Sequence, residues 1–137
     1  MDLLADTTFL IDLWREQRRP GLATAFAHRS RELAVGLPWV VAGEFLSGGA
    51  AAGHDVQALA GYLAAYPVVH STDAIVRRYA DLYVEVRRNK LGMGPNDLWI
   101  AACALSIGLP LITRNARDFG SLAGLTILNY GESAPAG

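Results

Sequence analysis

An α/β fold with a mainly parallel central sheet of four to five strands, flanked by helices, is what this 137-residue sequence predicts. Three observations carry the prediction. Short apolar runs alternate with longer helical patterns along the chain, as repeated strand-helix units require. No charged residue occurs from Leu98 to Thr113, so the strand in that stretch, Leu111 and Ile112, reads as covered on both faces, the habit of parallel sheets. Acids and hydroxyls gather where the predicted strands stop, the end at which open α/β sheets bind ligands.

Taken in order, Leu3 to Ala5 form a buried strand that meets Asp6, and Thr7 or Thr8 is expected to cap a helix with Leu10, Leu13 and Trp14 inside. Its basic end, with Arg15, Arg18 and Arg19 before Pro20-Gly21, suits the helix dipole. A second helix over 22–31 leads to a strand over 33–35 and a turn over 36–38. Trp39 to Leu46 reads as a helix that sets Glu44 among apolar neighbours, and the Gly- and Ala-rich run 48–53 as a mobile connection. A helix over 56–66 and a strand over 68–70 come next. Ser71 or Thr72 then caps a long helix with Ile75, Val76, Tyr79, Leu82, Tyr83 and Val86 on its core stripe, stopped by Gly92.

The helix from Pro95 to Gly108 organises the rest. Proline suits a first helical position, and Gly108-Leu109-Pro110 is a stop signal. Leu98, Ala102 and Leu105 share one stripe, and Asp97, Ala101, Ala104 and Gly108 a neighbouring stripe of small residues. Asp97 is therefore the only charge on an apolar helix. After the strand, Thr113, Arg114, Asn115 and Asp118 emerge in a polar loop, and a last strand is expected over 125–128. Residues 1–131 make one domain, and 132–137 read as a loose tail.

Composition narrows the class. Hydrophobic residues make up 52% of the chain, which excludes disorder and supports a filled core. The formal charge of −1, from 12 basic and 13 acidic residues, gives no broad basic surface, so a nucleic-acid partner would rely on local arginines or bound cations. Cys103 is the only cysteine, so no disulfide forms within the chain, as in a reducing cytoplasm. Asp2, Asp6 and Asp12 interrupt the first apolar run, so no signal peptide is expected, and Tyr-Pro and Gly-Leu-Pro break the others too early for a membrane span.

Asp6, Glu44, Asp97 and Asp118 share one setting: a strand end, an otherwise apolar helix, or the loop beyond the fourth strand. Together at one rim they would repel, raising their pKa values or demanding a cation. Hard Mg²⁺ or Mn²⁺ takes oxygen ligands and keeps waters for substrate, the arrangement that serves phosphodiester hydrolysis. Each acid alone has an ordinary structural use: an Asx turn for Asp6, a salt bridge to arginine for Glu44, dipole compensation for Asp97, a turn cap for Asp118. Only the joint pattern points to chemistry.

Four segments, Leu4-Ala5-Asp6-Thr7-Thr8-Phe9-Leu10-Ile11-Asp12, Gly43-Glu44-Phe45-Leu46, Asn96-Asp97-Leu98-Trp99-Ile100-Ala101-Ala102 and Leu111 through Phe119, resemble in order and spacing the motifs of PIN domains. The nearest likeness is to the VapC-type toxins of bacterial type II toxin-antitoxin pairs, and it spans almost the whole chain. It implies a Mg²⁺-dependent endoribonuclease, with Mn²⁺ able to substitute, usually a homodimer held inactive by a VapB-like antitoxin. Asp6 and Asp97 would be the main metal ligands, Glu44 would complete the shell directly or through water, and Asp118 matches a fourth, more variable acid. Thr7, Thr113 and Asn115 match supporting polar positions, for which hydrogen bonding at turns and strand ends is the alternative. His28, His54 and His70 fall outside the motifs.

Candidate RNA contacts are Arg114 and Arg117, and, with Lys90, Arg87 and Arg88, for which a solvated helix end is the alternative. Trp14 and Trp39 would either pack in the core or face an antitoxin groove. A haloacid-dehalogenase phosphatase wants a second Asp where Thr8 stands, and a receiver domain wants a lysine at its last strand, whereas the only lysine is Lys90. No phosphate-loop motif is present. The non-enzymatic alternative is a PIN-like binding module acting through its antitoxin complex on operator DNA.

Overall fold

The computed structural model describes residues 1–132; of the expected tail, residues 133–137 lie outside the described residues. Five parallel strands, β1 (Leu3–Ala5), β2 (Val35–Pro38), β3 (Val68–Val69), β4 (Leu111–Thr113) and β5 (Ile127–Asn129), form one sheet in the order β3-β2-β1-β4-β5. Seven helices accompany them: α1 (Thr7–Arg15), α2 (Leu22–Arg29), α3 (Trp39–Ala51), α4 (Val56–Leu63), α5 (Asp73–Arg88), α6 (Pro95–Ile107) and α7 (Ala116–Phe119). From β1 the chain builds outward to β2 and β3 on one side, then returns to add β4 and β5 on the other. The reversal leaves a crevice beyond the carboxyl ends of β1 and β4, the place where such sheets bind ligands.

Burial explains the central strands. Leu4, Ala5, Leu37, Leu111 and Ile112 have no exposed surface, and Leu4 pairs with Gly36 on one side and Leu111 on the other. α6 is buried nearly all round: Leu98 and Ile100 through Ala104 lie in the core, so the two stripes read from the sequence merge into one covered cylinder. Pro95 opens it and Gly108, at φ +70, closes it with Leu109 N–H donating to the Ala104 carbonyl, a position at which a side chain would strain the backbone.

Local chemistry overrides the sequence reading at several points. Asp6, rather than Thr7 or Thr8, caps α1 by accepting from Phe9 N–H, while Thr72 caps α5 as one of the two expected residues. Residues 36–38 are strand, not turn: Gly36 lies beneath the Met1 side chain, and Pro38 takes the strand's last position. The run 48–53 is helical to Ala51, with Gly49 packed so closely on Leu59 that a Cβ would sit 2.6 Å from it. α5 ends at Arg88 and is stopped by Lys90 (φ 55), not Gly92, with Leu91 N–H on the Val86 carbonyl and Lys90 N–H on that of Arg87, the paired bonds of a Schellman stop. On α5, Ile75, Leu82 and Val86 are buried and Tyr79 partly so, but Val76 and Tyr83 are exposed, which narrows the core stripe. Glu16 accepts from the backbone N–H groups of Gly21, Ala23 and Thr24 and so caps α2, which glycine cannot do for itself. Among the described residues no helix is long and apolar enough to cross a membrane.

Leu4→Ala should cost about 2–5 kcal/mol of unfolding free energy, because a central strand buried on both sides cannot close over the void. The midpoint of urea denaturation measures it; a loss under about 1 kcal/mol would show that β1 is not the middle of the core.

Candidate active site

β1 ends in the core, so the carboxylate just beyond it is only 3% exposed. Asp6 is satisfied by three donors: Phe9 N–H at 3.1 Å and Thr8 Oγ1 at 2.7 Å on Oδ1, and Thr113 Oγ1 at 2.5 Å on Oδ2. Thr113 is the last residue of β4, and its hydroxyl also accepts from Asn115 N–H at 2.9 Å. Asp6 thus locks the carboxyl ends of the two strands that border the crevice.

The other acids arrive on helices. Glu44, in the second turn of α3, accepts from Thr7 Oγ1 at 2.8 Å, tying α3 to the start of α1; among the described residues no arginine pairs with it. Asp97 sits half-buried in the first turn of α6. Burial first, then the charges of Glu44, Asp118 and Asp6, push its carboxyl above the ordinary aspartate value. Burial also pushes Asp6 up, against its hydrogen-bond donors. Asp118 is exposed on α7 rather than capping a turn. Three acids, up to 91 residues away in sequence, therefore bring their charges to bear on Asp97 at one rim.

This rim offers carboxylate and hydroxyl oxygens; His28, His54 and His70 are exposed, and Cys103 is buried within α6. Among the described residues no three His, Cys, Asp or Glu side chains lie close enough to hold a metal ion between them. That spacing still fits Mg²⁺, which is commonly held by one or two carboxylates with waters and substrate phosphates completing its octahedron. Asp6 and Asp97, the main ligands that the sequence leads one to expect, are the residues that would hold it, with Glu44 as the third.

Two residues escaped the sequence reading. Asp12 and Tyr130 form a second polar cluster with Arg114: Oδ2 of Asp12 accepts from Arg114 Nη1 at 2.9 Å and from Tyr130 Oη at 2.7 Å. Asp12 interrupts the apolar run Phe9 to Trp14 as Asp97 interrupts α6, and that anomaly was the available signal. Tyr130 lies one residue beyond β5 and carried none. Of the other arginines, Arg117 is exposed on α7, Arg87 is tied to Tyr83 Oη at 2.9 Å, and Arg88 is exposed in the last turn of α5, one short loop before α6. Trp14 packs edge-on against Phe45 and Tyr62, and Trp39 against Trp99, which stacks on Tyr79 at 3.8 Å.

The raised carboxyl of Asp97 fixes the sign of a pH effect. A folded-state pKa above the unfolded value means that stability falls as pH climbs from about 3.8, and the full penalty is present once the folded value is passed. Without divalent ions, Asp97→Asn should therefore melt above the wild type at pH 7.5, and the gap should close near pH 3.5. Calorimetry at both pH values checks this; a variant less stable at pH 7.5, or an equal gap at both, would contradict it.

Comparison with known proteins agrees with the geometry. A family model described as PIN domain matches residues 3–125. Among solved structures, VapBC-1 from nontypeable Haemophilus influenzae superposes with a TM-score of 0.82 at 24% identity, covering 96% of this chain and all of that one. VapBC2 from Rickettsia felis, bound to a DNA fragment from its promoter, gives 0.81 at 19% over 94% and 98% of the two chains. FitAcB from Neisseria gonorrhoeae gives 0.79 at 18% over 96% and 99%. No curated protein matches the sequence. The family model spans both strands that border the crevice and all four acids of the rim, and the chain belongs to the PIN domain family.

Proposed function

We propose that this protein is a Mg²⁺-dependent endoribonuclease, the toxin of a toxin-antitoxin pair, with Mn²⁺ able to replace Mg²⁺. PIN domains are generally nucleases, and the observation that supports the finer reading is the convergence of Asp6, Glu44 and Asp118 on Asp97 at the switch point of the sheet. When bound there, the ion supplies Lewis acidity toward a phosphoryl oxygen and lowers the pKa of an attacking water.

The chain's own residues prepare the site. Three donors fix the orientation of Asp6, Thr7 fixes Glu44, and the first turn of α6 presents Asp97. Asp118, beside Arg117 on α7, stands where a second ion or a water would be steered. Thr113 and the backbone of Asn115 hold the floor of the rim, while Arg114 and Arg117, with Arg87 and Arg88 farther out, neutralise RNA phosphates with little sequence preference.

A VapB-like antitoxin and a homodimeric toxin belong to the same proposal; the VapBC and FitAB complexes among the neighbours support the antitoxin. A cavity of about 190 Å³ lined by Ile11, Trp14, Phe45 and Leu59 would accept an apolar side chain from an antitoxin helix. A second reading, a binding module that acts through its antitoxin on operator DNA, draws support from the DNA-bound complex of Rickettsia felis. Retention of all four acids favours the nuclease.

Expressed without a partner, the protein should arrest growth, and Asp6→Asn or Asp97→Asn should abolish the arrest. Asparagine caps helices about as well as aspartate, so Asp6→Asn spares α1 while removing the charge. In vitro, each substitution should lower RNA cleavage about 10³-fold, the equivalent of about 4 kcal/mol, and EDTA should stop it. Arrest that survives both substitutions, or cleavage indifferent to chelation, rejects the metal-nuclease reading.

A further inference from the structure

The cluster of Asp12, Arg114 and Tyr130 lies outside the acids assigned to the chemistry. Register explains how it forms. Thr113 of β4 pairs with Asn129 of β5, so the next residues, Arg114 and Tyr130, leave the sheet side by side. Tyr130 is 1% exposed and rests edge-on against Phe9 of α1 at 5.1 Å. Its hydroxyl needs a buried acceptor, and Asp12 on the same helix supplies one.

The same carboxylate oxygen also holds Nη1 of Arg114. Asp12 is largely buried, but the Arg114 side chain is 52% exposed. A guanidinium has five N–H donors, and among the described residues only Nη1 has a partner, so donors remain for a ligand. Its backbone neighbour Thr113 donates to Asp6. Asp12 lies six residues after Asp6 along α1, about 9 Å of helix rise. The cation is thus anchored at a fixed, short distance from the acid rim.

We propose that Asp12 is a positioning residue that, braced by Tyr130, holds Arg114 as a preorganised clamp for an RNA phosphate adjacent to the one attacked. This rests on the nuclease reading and adds a role to it. An arginine on a solvated loop loses side-chain entropy when it grips a phosphate; one already fixed at a single nitrogen has lost part of it beforehand.

Simple charge counting and positioning predict opposite signs for one substitution. Asp12→Asn removes a negative charge near the RNA path, which by Coulomb attraction alone tightens binding. Positioning predicts that it weakens binding, about threefold or more, since the ion pair that fixes Arg114 is gone. Arg114→Ala should weaken binding about tenfold and lower the slope of log affinity against log salt by about 0.7, one phosphate contact on a single strand. In the Arg114→Ala background, Asp12→Asn should cause no further weakening.

The experiment is fluorescence anisotropy of a labelled single-stranded oligoribonucleotide in Mg²⁺, with every variant built on Asp97→Asn so that the strand stays intact. Tyr130→Phe, which removes the brace and leaves the ion pair, serves as a second probe should Asp12→Asn not fold. It should weaken binding in the same direction and only when Arg114 is present. Binding by Asp12→Asn as tight as the parent's or tighter overturns the inference, and so does a loss that persists without Arg114. For Tyr130→Phe, unchanged affinity or a loss independent of Arg114 overturns it equally. Cleavage by the Asp97→Asn parent itself would instead count against the nuclease reading, and a parent that binds no RNA overturns both.

Discussion

The repulsion between carboxylates that the sheet forces together is the constraint on which the remainder of this structure depends. β1 must be central because Leu4 and Ala5 are apolar and pair on both sides, and a central strand delivers the residue after it to the middle of the carboxyl-end crevice. That residue is Asp6. β4 must lie beside β1, so Thr113 reaches Asp6, and the loop that carries Asp118 is brought in with it. α3 and α6 then add Glu44 and Asp97. Nothing local favours this gathering: Asp97 is raised first by burial and then by its three neighbours. The fold holds it because the apolar burial of β1, β4 and α6 greatly exceeds the electrostatic cost.

How each acid is restrained matches where it sits. Asp6, the most buried, has three donors and doubles as the cap of α1, so its position is fixed by the same bonds that start the helix. Glu44, on a longer side chain, is restrained by one threonine hydroxyl. Asp97 is placed by its helix, and Asp118 stands exposed on a four-residue helix. The gradient runs from a tightly bonded member at the floor of the crevice to less restrained ones at its mouth. Under the proposed function, such a gradient would suit a divalent ion that exchanges waters for substrate phosphates.

Much of this was legible in the sequence, and the parts that were not share a cause. The parallel sheet, α6 with its Pro95 start and Gly108 stop, and the setting of the four acids were readable because burial and capping leave periodic or punctuated patterns. Glycine and proline misled wherever their usual role was displaced by packing. Gly36 and Pro38 resemble a turn, yet glycine is there to pass under Met1; Gly49 resembles a linker, yet it lets α3 lie against Leu59. Gly92 does not end α5 because Lys90 adopts the left-handed conformation that glycine usually supplies. Asp12 and Tyr130 were hidden because their meaning is purely tertiary: 118 residues separate them, and only the packing of α1 against the residue after β5 makes them neighbours.

The low net charge of −1 acquires a meaning in this light. Under the proposed function, polyanionic RNA would meet four acids at the centre of the site and be repelled until a cation arrives. Broad surface basicity could overcome that, but it would bind RNA without placing it. Under that proposal a few arginines, Arg114 pinned by Asp12 among them, would attract and align the strand at the same time. Affinity for the wrong register would then be weak, since a phosphate displaced from Arg114 would also be displaced from the rim. Among the described residues the one ion pair joins Arg114 to Asp12, so Asp12 is the residue through which a cation beside the acids is held in place.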